Sequence, residues 1–158
     1  MSKKKNLLFV FADQWRADAM GYAGADPVRT PNMDAFCADA AYCDHAFSTF
    51  PVCTAHRASL MTGRYPLSMG IFTNCKNGLA MRLGDEELGV GQMLKDAGYQ
   101  TAYIGKWHLD EPEQNHCPQP ASGARDWDAF TPPGVRRHGF DYWYSYGTYD
   151  VHLKPHYW

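Results

Sequence analysis

The chain has 158 residues, 45% of them hydrophobic and 20% charged, with a formal net charge of −2. That length and apolar fraction suffice for one domain with a real core and argue against disorder. Apart from Lys3, Lys4 and Lys5 the basic residues are scattered, so no stripe would neutralise a phosphate backbone, and nucleic acid is excluded as a partner. The first predicted element is the apolar run at 6–13, "NLLFVFAD". It follows a basic run as a signal peptide would, yet Asp13 and Arg16 interrupt it short of a usable apolar region, and no stretch of the chain reaches membrane-spanning length. It therefore reads as an interior parallel strand that breaks at a carboxylate and delivers Asp13.

A helix follows in "RTPNMDAFCADAAY", with Thr30 as N-cap and Pro31 at the first helical position. Met33, Phe36, Cys37, Ala40 and Ala41 share one face, which puts Cys37 in the core. A second helix is predicted over 53–62, closed by Gly63 as a left-handed cap. In "DEELGVGQMLKDAG" the acidic residues at the start and Gly98 at the end frame a third helix. The next segment, "YQTAYIGKWHL", is a strand, and helix followed by strand implies a crossover connection and a mainly parallel sheet. Over 110–158 Pro, Gly and aromatic residues dominate without a helical period, so this region is expected to be irregular with at most one strand. Its aromatic residues either line a pocket or pack the loops down. No repeat or linker divides the chain. The five cysteines are odd in number and lack a C-x-x-C pair, which suits a reduced, cytoplasmic setting better than disulfides or a zinc site.

In an open α/β sheet the ligand lies beyond the carboxyl ends of the strands. Three predicted elements bring chemistry there: Asp13 and Gln14 after the first strand, Cys53 and Arg57 at the start of the second helix, and Lys106 with His108 at the end of the later strand. Asp13 and Gln14 can share a ligand only because the strand breaks after Ala12, since neighbours on a strand face opposite ways. Cys53 and Arg57 are four apart and so share a helical face, where the guanidinium can hold a polar or anionic group built on position 53. The first-turn amides add to that attraction. Lys106 and His108, two apart on a strand, point to one side with Trp107 turned away, so that one can bind an oxyanion while the other moves a proton. Singly, each feature is commonly a turn residue, a core thiol or a solvated edge; their joint placement carries the reading.

Taken together, "CTAHRASLMTGRYP" from Cys53 and "AGYQTAYIGKWHL" ending at Leu109 resemble the two signatures of the sulfatase family, within the alkaline-phosphatase-like superfamily. "LLFVFADQWRAD" and "RTPNMDAF" resemble that family's metal-binding start and the segment after it. The resemblance covers about residues 6–109 in order; beyond Asp110 only "GFDYWY" is similar. It implies an α/β, alkaline-phosphatase-like fold, a mainly parallel sheet sandwiched by helices, of which 1–158 would form an amino-terminal and incomplete part of the catalytic domain. The activity implied is cleavage of a small-molecule or carbohydrate sulfate monoester. In such enzymes the cysteine, here Cys53, is oxidised after translation to formylglycine, whose hydrate attacks sulfur, expels the alcohol, and then releases sulfate as the aldehyde returns. By position, Asp13, Gln14 and modified Cys53 would bind a divalent metal. Arg57 would hold the formylglycine, Lys106 would bind the sulfate oxygens and the formylglycine, and His108 would be the base. Asn74, in "FTNC", lies where relatives set an amide against the substrate, with a turn role as the alternative. An oxygen shell of carboxylate and amide favours a hard ion, Ca²⁺ in the first place, with Mg²⁺ or Mn²⁺ as alternatives.

Two departures qualify the resemblance. Gln14 stands where many members carry a second Asp, a variant also found in relatives that cleave phosphonate monoesters and phosphodiesters; such a hydrolase is the alternative activity. Those relatives tend to lack the Lys-x-His pair, which favours sulfate. Ala55 replaces the proline preferred by the aerobic formylglycine-generating enzyme, which points to a maturase of the oxygen-independent radical type working in a bacterial cytoplasm. A non-catalytic homologue with unmodified Cys53 is the reading from a different class. The family's further metal ligands come from a segment far downstream, so this chain is expected to be the amino-terminal piece of a longer enzyme, inactive alone. His152 and His156 are candidates by residue type only and receive no role.

Overall fold

The structure is a computed structural model and describes residues 4–123, 127–147, 153 and 157–158. Two compact units divide the chain, Met1–Phe47 and Ser48–Trp158. No helix among the described residues is long and apolar enough to cross a membrane.

In the first unit the single α-helix, α1, spans Pro31–Asp39 with Thr30 at its N-cap, as Pro31 predicts. The Thr30 hydroxyl does not cap its own helix. It accepts from the Gly21 N–H at 2.8 Å and donates to Asp34 Oδ1 at 2.7 Å, while Asp34 Oδ1 also accepts from the Tyr22 N–H at 3.0 Å. These bonds tie α1 to the short 3₁₀ turn Gly21–Ala23. That turn is too small to cover the apolar side of α1, so no residue of α1 is buried. Phe36 stays exposed and Cys37 is half-buried rather than part of a core. The strand expected at 6–13 is likewise absent. Residues 7–11 are exposed, and the unit holds no second strand among its described residues against which they could ladder. An interior parallel strand exists only between neighbours that satisfy its N–H and C=O groups. The chain does bend where the sequence requires it, at Asp13 and Gln14, and Gln14 takes a left-handed φ of 45°.

The second unit carries the core. Helix α2, Cys53–Thr62, ends at Gly63, whose φ of 71° is the left-handed conformation that glycine adopts without cost and whose N–H closes on Ser59 O at 2.8 Å. Ala55, Ala58 and Met61 recur every three residues on its buried side, where they meet Ile71, Cys75, Met81, Leu83, Trp107, Leu109 and Trp143. Helix α3 spans Val90–Asp96, shorter than predicted at its start. Asp85 and Glu87 are spent on other partners, Arg82 and Arg64, and Gly89 is extended at the N-cap, so 85–88 form a turn instead of a first helical turn. Gly98, with φ 80°, follows α3 as expected.

Strand β1, Ala102–Lys106, pairs in parallel with β2, Tyr142–Tyr146, in the register Ala102↔Tyr142 to Lys106↔Tyr146. The connection between them contains 3₁₀ turns at Glu113–Asn115 and Val135–Arg137 and no α-helix among its described residues. It is folded back by the buried Asp110, which accepts from Thr131 Oγ1 at 2.5 Å and from Arg136. Gly139 lies so close to α3 that a Cβ there would fall 2.2 Å from the Gln92 nitrogen. Among the described aromatic residues packing is the dominant use. Tyr103 stacks on Trp143 with ring centroids 5.3 Å apart, Trp107 meets Trp143 edge to face at 5.1 Å, and Tyr144 stacks on Tyr157 at 4.5 Å.

Candidate active site

Cys53 is the first residue of α2, half-buried and in no disulfide. A ten-residue helix concentrates positive potential at this end, which favours negative charge on the side chain of residue 53. No side chain of its own N-cap, Val52, closes the helix. The cap comes from 20 residues downstream, where Asn74 Oδ1 accepts the Thr54 N–H at 3.0 Å. Because an N–H only donates, this bond fixes the amide orientation and makes the Nδ2 end of Asn74 the donor end.

One turn along, Arg57 is buried with Ala58 and Thr54. Its Nη1 donates to the Lys106 carbonyl at 2.6 Å and to the Tyr103 hydroxyl at 3.3 Å, and the same carbonyl accepts from the Tyr103 hydroxyl. Thus the end of β1 is clamped to the side of α2 by a charge-assisted bond, worth more than a neutral one in a buried setting. Lys106 itself is buried.

His108 lies beyond the strand rather than on it. β1 ends at Lys106, and His108 takes a left-handed φ of 55°, so the alternation that would set Lys106 and His108 on one face does not extend to 108. The parallel pairing nevertheless continues through Trp107 N–H to Tyr146 O at 3.0 Å and His108 N–H to Gly147 O at 2.9 Å. Its carbonyl accepts from Thr54 Oγ1 at 2.9 Å, and its Nε2 lies 3.3 Å from the Cys75 carbonyl. Left-handed backbone at a non-glycine residue costs energy that the surroundings must hold in place. Gln14 and His108 are two of the four described non-glycine residues in that region. Cys75 is buried beside Thr54, and burial pushes its thiol up to about 12, which makes it an inert neighbour rather than a second nucleophile.

The second unit therefore brings Arg57, Asn74, Lys106 and His108 together around the first turn of α2. Asp13 and Gln14 belong to the first unit, half-buried and exposed respectively. Among the described residues no group of three or more His, Cys, Asp or Glu side chains could hold a metal ion, and Asp110, the buried carboxylate nearest in sequence to His108, is occupied by Thr131 and Arg136. His152 and His156 lie outside the described residues. From sequence, Thr54 stands out only as a polar neighbour of Cys53 that suits an anion better than a core, and Tyr103 not at all. Tyr103 reads as a β-favouring strand residue, and the partners of both become visible only when β1 meets α2.

A helix start, a strand end and a loop are thus pinned together in one α/β unit. The family model for sulfatases matches residues 5–157, and the chain belongs to the sulfatase family. It is 40% identical to an endo-4-O-sulfatase of Bacteroides thetaiotaomicron over 97% of this chain and 33% of that protein. It is 41% identical to an ulvan-active sulfatase of Formosa agariphila over 98% of this chain and 27% of that one. The crystal structure of the sulfatase-family protein YidJ from Bacteroides fragilis superimposes with a TM-score of 0.88 and 41% identity, covering all of this chain and 36% of that one. The fold class is accordingly the α/β, alkaline-phosphatase-like one, and the chain spans about a third of the length of the relatives it matches.

Proposed function

We propose that the protein to which this chain belongs hydrolyses sulfate monoesters of carbohydrates, with Cys53 converted to formylglycine as its nucleophile. The observation that carries the reading is the pinning of the N-terminal half of α2 by three bonds to two separate segments: Thr54 to Asn74 in one loop, and Thr54 to His108 and Arg57 to Lys106 at the end of β1. The sulfatase names of two relatives, one of them ulvan-active, support a sulfated carbohydrate as substrate.

As formylglycine, residue 53 would present a geminal diol: one hydroxyl would attack sulfur and break its bond to the departing alcohol, and the other, on losing its proton, would re-form the aldehyde as the C–O bond to sulfate breaks, so that no second attack at sulfur is needed. Arg57 would orient that group from the same helical face. Lys106 would stabilise charge on the sulfuryl oxygens, and the donor end of Asn74 would face the substrate. His108 would take the proton whose loss lets sulfate leave. Asp13 and Gln14 offer a carboxylate and an amide oxygen at a bend, a donor set that fits part of the shell of a hard divalent cation, Ca²⁺ before Mg²⁺ or Mn²⁺. When bound, such a cation lowers the pKa of a hydroxyl it touches. Maturation would fall to an oxygen-independent radical enzyme in the cytoplasm, since Ala55 follows Thr54 in the signature.

The test is expression of the full-length protein with such a maturase and assay against sulfated carbohydrates and phosphodiesters. The peptide carrying residue 53 should contain an aldehyde, and sulfate should be released. Cys53→Ala should lower turnover by about 10⁴-fold or more. Turnover of phosphodiesters with sulfate esters inert would replace sulfate by the alternative ester. Full activity with an unmodified thiol at 53 would overturn the formylglycine chemistry.

A further inference from the structure

We propose that Thr54 is a positioning residue for the ester-cleaving chemistry: it sets the tautomer and aim of the His108 imidazole and the orientation of Asn74. The inference rests on the role proposed above for His108. Thr54 is fully buried and directly follows residue 53. A threonine that merely caps a helix bonds to amides of its own first turn. The hydroxyl and the amide of Thr54 both reach outside that turn; their partners are 20, 21 and 54 residues away.

The hydroxyl has one proton and two acceptor sites. Its proton goes to the His108 carbonyl at 2.9 Å, and it accepts the Cys75 N–H at 3.1 Å. The Cys75 carbonyl faces His108 Nε2 at 3.3 Å. A carbonyl only accepts, so Nε2 carries the proton and Nδ1 is the basic nitrogen of the neutral ring. The four groups thus form a closed circuit: Thr54 hydroxyl, His108 backbone, His108 ring, Cys75 backbone and back to the Thr54 hydroxyl. Through its carbonyl the circuit holds His108 in the left-handed conformation, which the Gly147 carbonyl holds from the other side through the His108 N–H. The Thr54 N–H meanwhile fixes which end of Asn74 is presented as donor. One side chain and its own amide therefore couple the residue beside the nucleophile to the two groups that must face the ester.

Valine is the isosteric replacement that removes the hydroxyl, and serine retains it. In the full-length matured enzyme, with rates expressed per aldehyde, Thr54→Val should lower kcat by about 10- to 100-fold, leave KM within about twofold, and move the acidic limb of the kcat–pH profile. Thr54→Ser should restore both the rate and the limb. Loss of thermal stability in Thr54→Val with kcat per aldehyde and the pH limb unchanged would show a structural role only and overturn the proposal. A measurement that needs no variant runs beside it: in histidine-labelled wild-type enzyme, ¹⁵N–¹H NMR should find the neutral His108 ring protonated at Nε2. A ring protonated at Nδ1 would overturn the proposal. His108→Ala separates the two readings. If it turns over like wild type, the site reading fails and this inference with it. If it gives one turnover and arrest while Thr54→Val keeps the wild-type profile, the Thr54 inference alone fails.

Discussion

The two compact units obey the same chemistry and reach opposite outcomes. In Ser48–Trp158 an amphipathic helix, a parallel ladder and an aromatic cluster cover one another, and Ala55, Ile71 and Trp107 lose nearly all contact with water. In Met1–Phe47 the more hydrophobic segment, residues 7–11, stays exposed, with Leu8 at 86%. Apolarity alone therefore does not make a core. A strand-forming sequence needs partners for its backbone groups, and α1 needs a surface wider than one 3₁₀ turn. The second unit contains its partners; the first holds its helix by polar bonds from Thr30 and Asp34 instead.

Cysteine chemistry gives the widest test of this contrast. Cys43 is exposed in the first unit, whereas Cys75 is buried in the second with its thiol pushed up to about 12. At about pH 8 only roughly one Cys75 in 10⁴ is thiolate even before access is counted. Iodoacetamide should label Cys43 first and Cys75 only on unfolding, as read by peptide mass spectrometry. Equal labelling rates would break the contrast. Stability should show it next. Met61→Ala, on the buried side of α2, is expected to cost about 2–5 kcal/mol in urea unfolding of residues 1–158. Leu8→Ala should stay within about 0.5 kcal/mol there. In the full-length protein, where 6–13 are expected to pair as an interior strand, Leu8→Ala should rise to about 2–5 kcal/mol, which sharpens the point that the partner and not the segment is what differs. The smallest effect belongs to His138. Burial holds its pKa below the ordinary value, against the pull of the Glu87 carbonyl that accepts from its Nδ1 at 3.1 Å. The unfolded chain thus takes up the proton first as pH falls, so the stability His138 supports is complete above about pH 6.5 and declines below it. The urea midpoint should drop between about pH 7.5 and 5.5, and His138→Gln should flatten that drop.

Local signals made the bounds of several elements legible in both units. Gly63 marks the end of α2, Pro31 and Thr30 mark the start of α1, and β1 is a run of strand-forming residues before a charged end. Non-local bonds hid the rest. Nothing in the spacing of Asp85 and Glu87 tells that Arg82 and Arg64 will claim them, so α3 was expected to begin too early. Lys106 and His108 look like one strand face until the turn at His108 is known. Thr54 is the sharpest instance, because every bond that gives it meaning spans at least 20 residues. The strand at 6–13 shows the converse: its pattern is clear, and pattern without a neighbour does not produce a ladder.

Trp107 sits between Lys106 and His108 in the chain with 1% of its surface exposed, against the rings of Tyr103, Phe140 and Trp143. An indole so placed is a built-in optical gauge. With Trp15, Trp127, Trp143 and Trp158 replaced by Phe, its emission should lie toward the blue while the end of β1 is closed, with Tyr103 at 5.1 Å as an energy donor, and should shift to the red once water reaches the segment that carries both candidate site residues. In such a single-tryptophan variant, loosening of this one corner can be followed by light, without a substrate and without an added dye.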